Sequence, residues 1–151
     1  MQMPVLIDLA NRILAGQPTS GNACLLAGTG DPVASPPCNV ALYVDVGSAN
    51  IGVGGTQCDL TYTYTAQGWY NFVFGKTSGT GFFYVNGSVA ESKSAAGTVT
   101  SSGHAFLIGN GRDTAFGYFH GSVAGVRYYS RALSSTEITT VYNNGLTGGI
   151  W

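Results

Sequence analysis

Among the side chains of this 151-residue chain that could carry acid–base chemistry are two glutamates, Glu91 and Glu137, and two histidines, His104 and His120. Glycoside hydrolysis takes two carboxyls about 5–10 Å apart, one to protonate the leaving oxygen and one to attack or to activate water. Neither glutamate has an acidic neighbour in the sequence, Glu91 follows a hairpin, and Glu137 is accounted for as a helix cap. The histidines stand sixteen residues apart among aromatics and glycines, with no nearby carboxylate or thiol to complete a metal or acid–base site. No Gly-x-Ser-x-Gly or Cys–His arrangement occurs. These patterns predict a chain that is not an enzyme, with no catalytic residue, no metal site and no cofactor. Cys24, Cys38 and Cys58 are odd in number, so at most one intrachain disulfide forms. Cys24 and Cys38 flank a Pro/Gly-rich loop and either pair or remain free buried thiols.

Binding chemistry is better represented. Asn110-Gly111-Arg112-Asp113-Thr114 is a polar loop between two expected strands, and loops carry function more often than strands. Asn110, Arg112 and Asp113 are the candidate ligand residues, for a sugar or a protein partner; Arg112 and Asp113 can equally pair with each other. Asn86-Gly87-Ser88 has the form of a glycosylation acceptor, but the turn chemistry of Asn-Gly already explains it.

Composition narrows the partners. Charged residues are only 9% of the chain, against about 25% in an ordinary soluble domain, and the net charge is −1. The six basic residues are scattered, which excludes a phosphate-neutralising stripe and with it nucleic-acid binding. So little charge predicts a surface wetted by hydroxyls and amides or covered by other protein subunits, in a homo-oligomer or a virion shell or tail. The N-terminus has Asp8 and Arg12 interrupting its apolar residues, so it is no Sec signal, and no apolar run is long enough for a membrane span. Opening on Met1, the chain reads as complete, which predicts a virion or extracellular surface location reached without a Sec signal.

The elements follow from periodicity. Residues 1–16 fit a helical stripe through Val5, Leu6, Leu9, Ile13 and Leu14, or a first strand over Val5–Leu9. Residues 17–39 are rich in loop signals, so residues 1–39 are expected to form an arm or covering segment beside a sandwich of residues 40–151, in one domain overall. From Val40 the period becomes two: Val40, Leu42, Val44 and Val46 alternate with Ala41, Tyr43 and Asp45. The same pattern runs through Leu60–Thr65 and Trp69–Phe74, and Gly-rich turns at 47–55, Gln67-Gly68 and 78–81 divide the strands. Phe82–Ala90 is a hairpin about Asn86-Gly87, and strands follow at 104–109 and 118–129. Ser134-Ser135-Thr136-Glu137 is a capping box that opens a helix over 134–143, with Leu133 and Ile138 in staple positions and Asn143-Asn144-Gly145 closing it. The expected core includes Leu42, Val44, Phe72, Phe83, Val85, Leu107, Val126 and Ile138.

A family likeness lies in these segments. Phe119-His120-Gly121-Ser122-Val123-Ala124-Gly125-Val126-Arg127-Tyr128-Tyr129-Ser130-Arg131-Ala132-Leu133-Ser134-Ser135-Thr136-Glu137-Ile138 resembles the closing segment of laminin G-like domains. Gly68-Trp69-Tyr70-Asn71-Phe72-Val73, Phe83-Tyr84-Val85-Asn86-Gly87 and Leu107-Ile108-Gly109 resemble three further strands of the family, in the right order. The resemblance implies an all-β fold: a two-sheet antiparallel jelly-roll sandwich of the concanavalin A-like type, with one short C-terminal helix. It also implies binding of glycans, proteins or calcium at a loop rim. Ala124 and Gly125 stand where the family often carries acids, which counts against calcium. The functions expected are a structural module on a virion surface (decoration, spike or tail-associated) or a carbohydrate-binding adhesion module.

Overall fold

The two-residue period read from Val40 onward predicts strands, and the described residues up to Tyr129 lie almost wholly in strands. The computed structural model describes residues 5–13, 24–29, 40–45, 48–53, 56–63, 68–77, 80–94, 106–109 and 121–146. Among them are ten strands, β1 (Val5–Ile13), β2 (Cys24–Thr29), β3 (Val40–Asp45), β4 (Ser48–Val53), β5 (Thr56–Thr63), β6 (Gly68–Thr77), β7 (Thr80–Val85), β8 (Ser88–Ser94), β9 (Phe106–Ile108) and β10 (Gly121–Tyr129), and one helix, α1 (Ser135–Leu146). One sheet has the order β10-β1-β6-β7-β8 and the other β5-β4-β3-β2-β9. The pairings are antiparallel, and the sheets face each other with β5 over β7 and β8. This is the expected two-sheet sandwich with one C-terminal helix. Among the described residues, no helix is long and apolar enough to cross a membrane.

The expected arm of residues 1–39 is corrected by the sheet order. β1 is an inner strand, paired with β6 from Val5↔Lys76 to Ile13↔Gly68 and with β10 on its other side. β2 lies between β3 and β9 in the opposite sheet. One described strand from the N-terminal segment thus enters each sheet. The helical alternative for residues 1–16 loses for the same reason. A slot between two strands offers hydrogen bonds on both sides of an extended segment, and a helix there would leave both neighbours with open edges. β4 runs through the stretch expected to be a Gly-rich turn at 47–55, with Gly52 opposite Ala41.

Burial explains why β6 reads as more than a simple alternation. Its residues from Asn71 to Lys76 are all buried. Phe72, Phe74, Phe83 and Val85 point between the sheets, where Leu42 and Leu60 join them, and the Phe72 and Phe83 ring centroids lie 5.7 Å apart. Val73 and Phe82 point the other way and pack beneath Ile138 of α1, with Tyr84, Tyr129, Ala132 and Leu133 around them. The strand is therefore covered on one face by the second sheet and on the other by the helix. Of the expected core, Leu42, Phe72, Phe83, Val85 and Ile138 are buried, Leu107 and Val126 are partly exposed, and the side chain of Val44 lies outside the described residues. Tyr128 is exposed.

The capping box forms as read. Glu137 N–H donates to Ser134 Oγ at 3.3 Å, and Ser134 N–H donates to Glu137 Oε2 at 2.8 Å. Leu133 and Ile138 meet in the same apolar cluster, as a staple requires. Arg131 grips Glu137 through both guanidinium nitrogens, at 3.0 and 2.6 Å, and donates to the Ala132 carbonyl at 3.1 Å. The helix runs on to Leu146, past the stop expected at Asn143-Asn144-Gly145. The Arg131 hydrogen bonds, then those of the Ser134 amide and hydroxyl, lower the Glu137 pKa from 4.5 to about 2. A carboxyl whose folded pKa is depressed stabilises fully above its unfolded value and loses that contribution as pH falls. The stability difference between the native chain and Glu137→Gln should therefore be complete at pH 5 and shrink as pH falls from about 4.5 to about 2. Thermal melts of both proteins across that interval check this; a difference independent of pH would refute it.

Candidate functional site

The strand directions sort the connections between two ends of the sandwich. Ile13 pairs with both Gly68 and Gly121, Cys24 with Val44, Asp45 with Ser48, and Ser48 with Thr63. Val85 pairs with Ser88, and β9 runs antiparallel to β2 so that Ile108 lies toward the Cys24 end. The connections β1–β2, β3–β4, β5–β6, β7–β8 and β9–β10 thus all fall at one rim.

Aromatic side chains mark this rim. Tyr62, near the end of β5, and Tyr70, near the start of β6, face each other across the gap between the sheets. Their ring centroids are 6.3 Å apart in an edge-on arrangement, and both rings are partly exposed. Tyr62 also meets Phe83 edge-on at 6.5 Å, and Tyr70 stacks on Phe72 at 6.0 Å, so the inner core holds both rings in place. Trp69 precedes Tyr70, points to the opposite face of the strand and is 55% exposed, in register with Arg12 of β1. Beside them the β7–β8 turn is tied down: Asn86 N–H donates to the Asn71 carbonyl and Asn71 N–H donates to Asn86 Oδ1, both at 2.9 Å. Asn86, in the sequence that resembles a glycosylation acceptor, thus uses its side chain to hold the turn, at φ 52°.

The expected ligand residues Asn110, Arg112 and Asp113 lie outside the described residues, as do His104, His120 and Cys38 and the side chains of Cys24 and Cys58. The segment carrying Asn110–Asp113 leaves β9 beyond Gly109 and re-enters at Gly121, and both flanks belong to the aromatic rim. Sequence reading missed Tyr62 and Tyr70 as rim residues; their alternation with threonines and Trp69 marked them only as strand positions. Glu91 is engaged as an acceptor of the Thr61 N–H, and Glu137 as the helix cap. No cluster of three or more His, Cys, Asp or Glu suited to a metal occurs among the described residues.

A family model described as the concanavalin A-like lectin/glucanases superfamily matches residues 17–139. The chain belongs to this superfamily. Solved structures share its fold. A Trypanosoma rangeli sialidase mutant displaying trans-sialidase activity superposes with a TM-score of 0.69 at 19% identity, over 99% of this chain and 24% of that one. The Trypanosoma rangeli sialidase in complex with sialic acid gives 0.67 at 21% identity, over 95% of this chain and 23% of that one. The receptor binding domain of botulinum neurotoxin mosaic serotype C/D gives 0.70 at 12% identity, over 95% of this chain and 37% of that one. The concanavalin A-like chain thus spans about a quarter of these sialidases and little more than a third of the neurotoxin domain. No curated protein matches the sequence. The expectation that the chain is not an enzyme is overturned here, because this sandwich is found within sialidases, which are enzymes. A lone sandwich with few carboxylates does not exclude catalysis, since a site can draw residues from outside the sandwich.

Proposed function

We propose that this concanavalin A-like sandwich is a glycan-recognition module whose binding site is the aromatic rim. The observation that carries the reading is the Tyr62–Tyr70 pair, partly exposed and braced from below, at the rim where β9 ends and β10 begins. A sugar ring presents apolar C–H faces and a girdle of hydroxyls. Rigid tyrosine rings meet the first, and tyrosine hydroxyls with amide, guanidinium and carboxylate groups meet the second. The likeness to folds found in a sialidase bound to sialic acid and in a receptor binding domain is consistent with this role. A location on a virion or another extracellular surface belongs to the same proposal, since glycans are displayed there.

Glycan-array screening followed by calorimetry tests the reading. The intact chain should bind at least one glycan class. Arg112→Ala and Tyr70→Ser should each weaken binding roughly tenfold, the effect of losing about 1.4 kcal/mol of contact. Tyr70→Phe, which keeps the ring, should lose less. The same incubations read for released sugar separate turnover from binding. Absence of binding to any glycan, or affinity unchanged in both Arg112→Ala and Tyr70→Ser, would overturn the proposal.

A further inference from the structure

A sandwich has four terminal strands, and each presents unpaired backbone donors and acceptors to which another strand can add. Here β9 is only three residues long, too short to template much. β8 carries a bulge between Val89 and Glu91 and the exposed Lys93, two devices that discourage strand addition. β5 has neither lysine nor proline. Its eight residues, Thr-Gln-Cys-Asp-Leu-Thr-Tyr-Thr, include strong β-formers and one charge, and its ladder to β4 is regular from Leu60 to Thr63. By composition it is the stickiest of these three edges.

β5 and β8 end their sheets on the same side of the sandwich, one above the other. Glu91 spans the gap. Its Oε2 accepts the Thr61 N–H at 2.6 Å, a short charge-assisted bond, while the Lys93 ammonium stands 3.5 Å from Oε1. The bulge aims it: one residue is inserted in β8, and Glu91 comes opposite the inward-facing Phe83. We propose that Glu91 is an edge guard, its carboxylate occupying the backbone donor of β5 at which the β5 strand of a second copy of this chain would otherwise pair. A second copy is the occupant that fits. Two β5 strands brought together by a two-fold axis run antiparallel and complement each other, and a net charge of −1 with 9% charged residues offers little repulsion.

Sedimentation velocity over a wide concentration range tests this on the full chain. Glu91→Ala should self-associate roughly tenfold or more strongly than the native chain, because the freed donor belongs to a charge-assisted bond. Glu91→Gln keeps an acceptor oxygen and should behave as the native chain does. Adding Thr61→Pro to Glu91→Ala removes the donor at an edge position that tolerates proline, and should cancel the association. Equal association of Glu91→Ala and the native chain, or association that survives Thr61→Pro, overturns the proposal. Amide exchange in the native chain gives a test independent of any variant's folding. Thr61 should exchange more slowly than Thr63, two residues along the same edge, and equal rates overturn the guard.

Discussion

A chain shortened to begin at residue 17 should show no cooperative unfolding transition. The truncation deletes β1, which is hydrogen-bonded along its length to β6 and to β10. Both neighbours would become open edges. β6, buried on both faces between Asn71 and Lys76, would lose the ladder that fixes it in the sheet. A domain's net stability is only about 5–15 kcal/mol, and losing a nine-residue inner strand exceeds what that margin absorbs. Circular dichroism melts and amide dispersion in NMR spectra measure the effect, and adding a peptide of residues 1–16 should restore structure by refilling the slot. A truncated chain that melts cooperatively by itself would instead support the arm first expected. The contrast with the family match is instructive, since that match begins at residue 17 and omits β1 altogether.

Gly87→Ala should destabilise the fold by about 2–5 kcal/mol, combining left-handed backbone strain of about 1–2 with overpacking of about 1–3. Gly87 sits at φ +76°, and a Cβ there would lie 2.8 Å from Tyr142 Cδ1 and 3.2 Å from Tyr142 Cβ. The helix approaches this closely because it docks on the hairpin turn: Ile138 is buried against Val73 and Phe82, and Thr139 Oγ1 donates to the Gly87 carbonyl at 3.2 Å. Chemical denaturation of a double-mutant cycle separates the two causes. In a Tyr142→Ala background the same substitution should cost only the backbone part, about 1–2 kcal/mol. An equal cost in both backgrounds would show that the approach of the helix is not responsible.

What the residues determined alone is local. Asn86-Gly87 specified its turn because only residues tolerant of positive φ close a two-residue hairpin, and the structure has φ 52° and 76° there. Ser134 and Glu137 specified the helix start because both partners lie within one turn of chain. The alternation from Val40 to Tyr129, with the segment resemblance beside it, was enough for the sandwich. What the tertiary structure decided depends on partners far apart in sequence. Val5–Ile13 fits either period, and only the slot between β6 and β10 makes it a strand. Glycines at 52, 54 and 55 read as turn, yet Gly52 stands in a ladder because Ala41 lies opposite it. Tyr62 and Tyr70 became rim residues, and Glu91 a bridge to Thr61 thirty residues away, only when β5 was laid over β7 and β8. A local pattern sets which face a side chain takes; pairing and sheet stacking, which close long loops at an entropic cost, set what that face meets.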